Sequence, residues 1–311
     1  MECFVIIRLL GTAASGGFPQ WNCSCSGCRL SRRNPERAKP RTQSSIAISA
    51  DGEHWFLINA SPDFRAQIEA TRELQPRSMA VRNSVIQGVL LTSADITNMI
   101  GLLQLREGNS LSIHGTPEIR ASANAGIRLE AVLGSFIGIE WQDVTDTPSP
   151  LLLANGEHSG LLYSAISIPA SAPRYTGEPK TPSAPGHLLA YLIIDETTRG
   201  RLLIAPQLPV ITGRVLGEFL TSDALLVDGM FWSGDELALR TVRNVGASEL
   251  NYTPISGRDG SLDALSQSDA SRKVFVHMND TNPILIEDSP ERAQVVAAGV
   301  EVGYDGMTIT L

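Results

Sequence analysis

The chain has 311 residues, with 33 Asp and Glu against 25 Lys and Arg, and a formal net charge of −8. Hydrophobic residues make up 42% and charged residues 19%, a balance that buries a core and excludes a disordered chain. The acid excess repels phosphate backbones and argues against nucleic acid as a partner. No apolar run approaches the roughly 20 residues of a membrane-spanning helix, so no membrane association is expected.

The first predicted strand runs over 4–10 and enters a glycine turn; Arg8 interrupts it, so it does not read as a signal peptide. The thiol Cys3 is expected to be buried at the edge of that strand. Further strands are predicted at 44–49, 54–60, 85–92 and 111–114, with Asp51-Gly52 as a hairpin turn before the apolar run Trp55-Phe-Leu-Ile. Helices are predicted over Pro62–Thr71, with Ser61 as N-cap, and over Asn98–Arg106 and Pro117–Val132. The second half repeats the style, with strands at 150–154, 161–168, 188–194, 201–205, 224–228 and 274–278 and helices at 213–221 and 289–298. Segments 170–186 and 233–271 read as long loops, the length at which loops serve as lids. The alternation fits a layered α/β architecture in one domain spanning 1–311.

Three of the four cysteines fall in Cys23-Ser-Cys25-Ser-Gly-Cys28. Clustered thiols in a chain expected in the cytoplasm point to a metal more than to disulfides. Structural zinc takes four ligands, usually thiolate or imidazole, so a fourth must come from elsewhere. Gly27 is read as permitting a sharp turn. The basic stretch Arg29, Arg32, Arg33, Arg37, Lys39 and Arg41 reads as a solvated face in preference to an anion site. His277 follows the apolar run Val274-Phe-Val and sits at a strand end, the usual place for a ligand or reactive group in α/β layers. Its unperturbed pKa near neutrality makes it the best candidate general base. Asp228 ends another apolar run, Ala224-Leu-Leu-Val, and is either a pocket residue or a turn cap.

Several blocks together resemble the pyrroloquinoline quinone biosynthesis protein B family. They are Gly11-Thr-Ala-Ala-Ser-Gly-Gly-Phe-Pro-Gln-Trp-Asn-Cys, Arg41-Thr-Gln-Ser-Ser, Asn59-Ala-Ser-Pro-Asp63, Gly101-Leu-Leu-Gln-Leu-Arg-Glu-Gly108, Val227-Asp-Gly229, His277-Met-Asn-Asp-Thr-Asn-Pro283 and Ser289-Pro-Glu-Arg-Ala293. The resemblance covers almost the whole chain. It implies the metallo-β-lactamase type of fold, an αββα sandwich of two β-α halves. It also implies a fourth zinc ligand: Asp280 stands where the related phosphoribosyl cyclic phosphodiesterase places a histidine.

The resemblance exposes a departure. Relatives end the turn that here reads Ser93-Ala-Asp-Ile-Thr-Asn98 in an Asp-His pair that helps hold a catalytic metal; this chain has Thr97 and Asn98. Asp95 matches the family's earlier aspartate. Tyr252 lies near the position of a second family histidine, and His187 is the one plausible substitute. The expected pocket therefore gathers His277, Asp95 and Tyr252 as catalytic candidates with Asn98, His187 and Asp228 around them. The catalytic metal, iron or zinc, is expected to be absent or loosely held, while a structural zinc is retained.

The family is described as an iron-dependent hydroxylase acting on a tyrosine-containing precursor, or as a carrier. Three readings stay open: a protein of that pathway with a peptide-derived intermediate and a possible partner protein, an enzyme of metal-independent chemistry, and a non-catalytic carrier or scaffold.

Overall fold

The computed structural model describes residues 5–77, 81–177, 184–239, 245–250 and 252–311; Cys3 lies outside the described residues. In chain order, β1 (Ile6–Gly11) precedes α1 (Ser26–Arg33), β2 (Ser45–Ser49), β3 (Trp55–Ile58), α2 (Phe64–Ala70), β4 (Ile86–Leu90), α3 (Ile96–Met99), β5 (Leu111–Gly115), α4 (Pro117–Gly126), α5 (Leu129–Leu133) and β6 (Ile139–Asp143). There follow β7 (Ser149–Leu152), β8 (His158–Ala170), β9 (Ala184–Asp195), β10 (Arg201–Ala205), α6 (Gly213–Thr221), β11 (Ala224–Asp228), α7 (Glu236–Leu239), α8 (Ser261–Ser266), β12 (Arg272–Val276), α9 (Pro290–Ala297), β13 (Glu301–Val302) and β14 (Thr308–Thr310). Two compact units divide these elements. One comprises Met1–Leu10, Ser45–Gly200 and Thr308–Leu311; the other comprises Gly11–Ser44 and Arg201–Met307.

The first unit carries a mixed sheet in the order β14-β1-β2-β3-β4-β5-β6. The Asp51-Gly52 turn forms as the sequence predicts. Gly52 adopts a φ of 71°, and β2 pairs antiparallel with β3 with Ile46 opposite Ile58 and Ile48 opposite Phe56. Both strands are buried along their whole length. From β3 to β6 the pairing is parallel. Strands β7, β8 and β9 pair as an antiparallel meander that is not part of this sheet.

Three expectations need correction here. The helix expected over Pro62–Thr71 begins at Phe64, with Asp63 as N-cap. Ser61 instead accepts from the Asp63 N–H and donates to Gln67. The helix expected over Pro117–Val132 breaks into α4 and α5, because Arg128 takes a left-handed φ of 54° and a left-handed residue cannot continue a right-handed helix. The loop expected over 170–186 is shorter, because β8 reaches Ala170 and pairs it with Ala184 of β9; within it, 178–183 lies outside the described residues.

In the second unit β10, β11, β12 and β13 run parallel. Their central runs, Leu202–Ala205, Ala224–Val227 and Val274–Val276, are buried continuously, as parallel strands covered on both faces require. Val215 and Phe219 of α6 and Val295 of α9 are buried in the same unit. Segment 233–271 is not a plain loop. It holds α7, a 3₁₀ turn at Ser248–Leu250 and α8, while 240–244 and 251 lie outside the described residues. A small core of Phe231, Leu237 and Ala247, with Met230, Val245, Leu250 and Tyr252 against it, packs this segment. These elements are too short for apolar periodicity to reveal them.

Candidate functional site

The cysteine cluster is built on a helix start. Cys25 is the N-cap of α1, and its Sγ accepts the Cys28 N–H at 3.4 Å. Cys28 is buried in the first turn. The other two sulfurs also accept main-chain donors, Cys23 from the Cys25 N–H and Cys28 from the Gln20 N–H, each at 3.4 Å. N–H donors aimed at every sulfur of a cluster favour thiolates over thiols. Asp280 completes the group, its Oδ2 lying 3.2 Å from Cys28 Sγ and 3.9 Å from Cys25 Sγ.

One ligand atom from each of Cys23, Cys25, Cys28 and Asp280 lies within 4.8 Å of all the others. A tetrahedral zinc with Zn–S near 2.3 Å needs ligand separations of roughly 3.8 Å, so a small contraction brings these donors onto one ion. Without a cation the site shares its protons unevenly. The hydrogen bond from Cys28 draws the Cys25 thiol down to about 6, burial pushes Cys23 up to about 11, and the proton held against Cys25 raises Cys28. A divalent cation would deprotonate all three. Gly27 does not make the turn expected of it, since it lies within α1; a Cβ there would stand 3.3 Å from the Asp280 carbonyl and 3.5 Å from the Phe18 ring. It admits the helix close to the segment that carries the carboxylate.

The second unit also gathers His277, Asp228 and Tyr252. Asp228 ends β11 and His277 follows β12, and the parallel pairing of these strands sets Asp228 opposite Val276. His277 Nδ1 lies 3.3 Å from Asp228 Oδ1. Asp228 further accepts the N–H groups of Leu208 at 3.0 Å and Met230 at 3.1 Å. Burial raises the Asp228 carboxyl above its ordinary value, against the pull of these donors. Tyr252 lies with its ring centroid 6.1 Å from that of His277, the planes tilted by 33°. Its hydroxyl accepts from Gln207 Nε2 at 3.4 Å. His277 holds a φ of 57°, a left-handed conformation that non-glycine residues adopt at a cost of order 1 kcal/mol or more.

The first unit gathers Asp95, Asn98 and His187. Asp95 is the N-cap of α3 and makes no side-chain cap bond. Asn98 is buried and donates to Ser93 Oγ at 2.8 Å and Thr92 Oγ1 at 3.3 Å. Thr92 in turn is held by Asn59, whose Oδ1 accepts the Thr92 N–H at 2.9 Å and whose Nδ2 donates to the Thr92 hydroxyl. A neutral lattice of Asn59, Thr92, Ser93 and Asn98 thus occupies the turn. Leu188 bridges Ser93, and the Leu189 N–H donates to Thr92, which sets His187 beside this turn. His187 Nδ1 is buried without a hydrogen-bond partner. The parts played by Asn59 and Thr92 emerge only in the structure, where Asn59 takes a left-handed φ of 62°. Among the described residues, no second group of three or more His, Cys, Asp or Glu side chains approaches a shared ion, and no helix is long and apolar enough to cross a membrane.

A family model described as "Beta-lactamase superfamily domain" matches residues 54–278. The chain is 42% identical over 306 residues to coenzyme PQQ synthesis protein B of Azotobacter vinelandii, covering 98% of this chain and 99% of that one. The chain belongs to the coenzyme PQQ synthesis protein B family. The counterpart from Ectopseudomonas mendocina is 41% identical with the same coverage. A crystal structure of Zn(2+)-bound PqqB from Methylobacterium extorquens superposes with a TM-score of 0.89 at 35% identity, covering 98% of this chain and all of that one. The two mixed sheets with flanking helices are of the metallo-β-lactamase type, as the resemblance implied.

Proposed function

We propose that this protein works in the biosynthesis of coenzyme PQQ or a related peptide-derived natural product, holds one structural zinc, and does not hold a second metal tightly. The observation that carries the pathway reading is the 42% identity to a coenzyme PQQ synthesis protein B across nearly the full length of both chains. The zinc reading rests on three sulfurs and one carboxylate within 4.8 Å of one another, each sulfur facing a main-chain N–H. Zinc there would tie α1 and its preceding loop to the segment carrying Asp280, and such ligation contributes directly to folding.

The residues at the turn after β4 do not fit a second divalent ion. Thr97 and Asn98 are neutral and weakly basic, and the Asn98 amide is engaged with Ser93 and Thr92. A catalytic metal needs about three good donors plus an open position. The group best suited to move a proton is His277, oriented by Asp228. An orienting carboxylate fixes the tautomer of an imidazole and stabilises its charged form. Tyr252 beside it offers a ring surface and a hydroxyl to an aromatic or phenolic intermediate.

Two measurements test the reading. Expression in a bacterium deleted for its own PqqB should restore coenzyme PQQ to the medium; no restoration rejects the pathway assignment. Titration of the zinc-loaded protein with Fe(II) should reveal no further tight site. A second site of micromolar or tighter affinity, lost in His277→Ala, rejects the vacant-centre reading.

A further inference from the structure

Trp21 is 84% exposed, in the loop between β1 and α1. A side chain of this size normally buries about 150–250 Å², and leaving it in water forfeits that burial. Arginine side chains of α1 hold the main chain on both sides of Trp21. Arg32 reaches from α1 to donate to the carbonyls of Gln20 and Cys23 at 2.5 and 2.6 Å, and Arg29 donates to that of Ser24. The flanking Cys23 is tethered as well, accepting the Cys25 N–H. Trp21 is therefore displayed on an anchored loop.

The charge beside it is uncompensated. Arg29, Arg32 and Arg33 are all exposed on α1. Further along the basic stretch Arg37 meets Asp288 at 2.6 Å and Lys39 meets Glu287 at 3.5 Å. Among the described residues no carboxylate pairs with Arg29, Arg32 or Arg33, nor does Glu36, the one acid of the stretch. Each guanidinium has five N–H donors, so those of Arg29 and Arg32 keep donors free after bonding the loop carbonyls. In a chain of net charge −8, three adjacent unpaired arginines around a displayed tryptophan are a local exception.

We propose that Trp21 with Arg29, Arg32 and Arg33 is a docking surface for an acidic peptide segment of a protein partner. Tryptophan and arginine are the residues most enriched where few side chains carry the binding energy of an interface. Arginine forks match carboxylates in bidentate geometry. The partner segment carries Glu or Asp to meet the arginines and an apolar side chain to cover the indole. A phosphate backbone carries its charges well past these three arginines into the repulsive field of the acidic chain, whereas a short acidic segment is matched by the arginines alone, which selects the peptide over nucleic acid. The inference is independent of the pathway assignment.

The test is fluorescence anisotropy of the zinc-loaded protein at low salt, using a labelled peptide rich in Glu and Leu as the probe. Binding is expected, with Trp21 becoming shielded from acrylamide. Trp21→Ala and Arg33→Glu should each weaken binding about tenfold or more, with zinc content and circular dichroism unchanged because neither side chain holds a ligand. A Lys- and Leu-rich peptide, single-stranded DNA and anionic vesicles should not compete. Absence of binding, equal binding by both variants, or preference for DNA or vesicles overturns the proposal.

Discussion

Asp228 faces His277 across the ends of two parallel strands, Oδ1 to Nδ1 at 3.3 Å, with 1% and 4% of the two residues exposed. The carboxylate is a hub. It accepts from the imidazole and from two main-chain N–H groups that reach it from different loops, Leu208 and Met230. Its two strands thereby share one buried acceptor.

Asp228→Ala strands three donors in a buried place. Each unsatisfied donor costs about 1–3 kcal/mol, and partial relaxation reduces the sum, so a loss of about 3 kcal/mol is expected. Urea denaturation of the wild type and variant measures it. An unchanged midpoint would show that water reaches these groups and that the hub does not hold the strands.

Cys25→Ser removes the sulfur that on the proposed reading is a zinc ligand and that also caps α1. Serine caps helices well, so the helix start is preserved while the metal donor is lost. Zinc measured by mass spectrometry should fall from one equivalent to well below one. The melting temperature should fall by more than about 5 °C, given roughly 2–4 °C per kcal/mol in domains of this size. Retention of a full equivalent of zinc would remove Cys25 from the ligand set.

His114 gives the acid limb of stability. It is buried on β5, bonded to the Tyr163 hydroxyl at 2.9 Å and beside Ser112 Oγ at 3.2 Å. Burial lowers it from 6.5 to about 4. The unfolded chain therefore takes up a proton that the folded chain refuses between those values. The stability this neutral imidazole supplies is complete above about pH 6.5 and is lost as pH falls toward 4, amounting to about 3 kcal/mol. Denaturation at pH 7 and pH 4.5 should show a smaller difference for His114→Gln than for the wild type. Equal differences would assign the acid sensitivity to carboxylates such as Asp51, whose pKa the turn at 51–54 lowers through hydrogen bonds from His54 and Glu53, against burial.

Thr97→Asp with Asn98→His places carboxylate and imidazole on the turn after β4. On the proposed reading this double variant takes up a second equivalent of Fe(II) or Zn(II) where the wild type takes one. Metal titration by calorimetry checks it. A single equivalent in both proteins would mean that more than these two positions separates the chain from a second centre.

The parts legible in the sequence were those that local chemistry dictates. Asp51-Gly52 before an apolar run announced a hairpin, and the continuous apolar runs ending in Asp228 and His277 announced buried strands. The three cysteines were readable because their clustering is local; Asp280 came only by resemblance, since 252 residues separate it from Cys28. What stayed hidden lacks an apolar pattern. Helix α1 presents Arg29, Arg32 and Arg33 and buries only Gly27, Cys28 and Ser31. Strand β6, Ile139–Asp143, has no fully buried residue, and β13 holds two residues. The break at Arg128 and the work of Asn59 depend on left-handed backbone, which no side-chain pattern encodes. Polar partners such as Thr92 were invisible because their bonds depend on three-dimensional neighbours.

The lattice of Asn59, Thr92, Ser93 and Asn98 couples two neighbouring positions. Its members satisfy one another without charge. On the proposed reading, Asn98→His alone takes from Ser93 and Thr92 the amide that serves them and gains no ion, because residue 97 still offers no carboxylate. Thr97→Asp alone adds a charge with nothing to neutralise it. Each single change is then penalised while only the pair is rewarded, so positions 97 and 98 are coupled and neither can be exchanged profitably without the other.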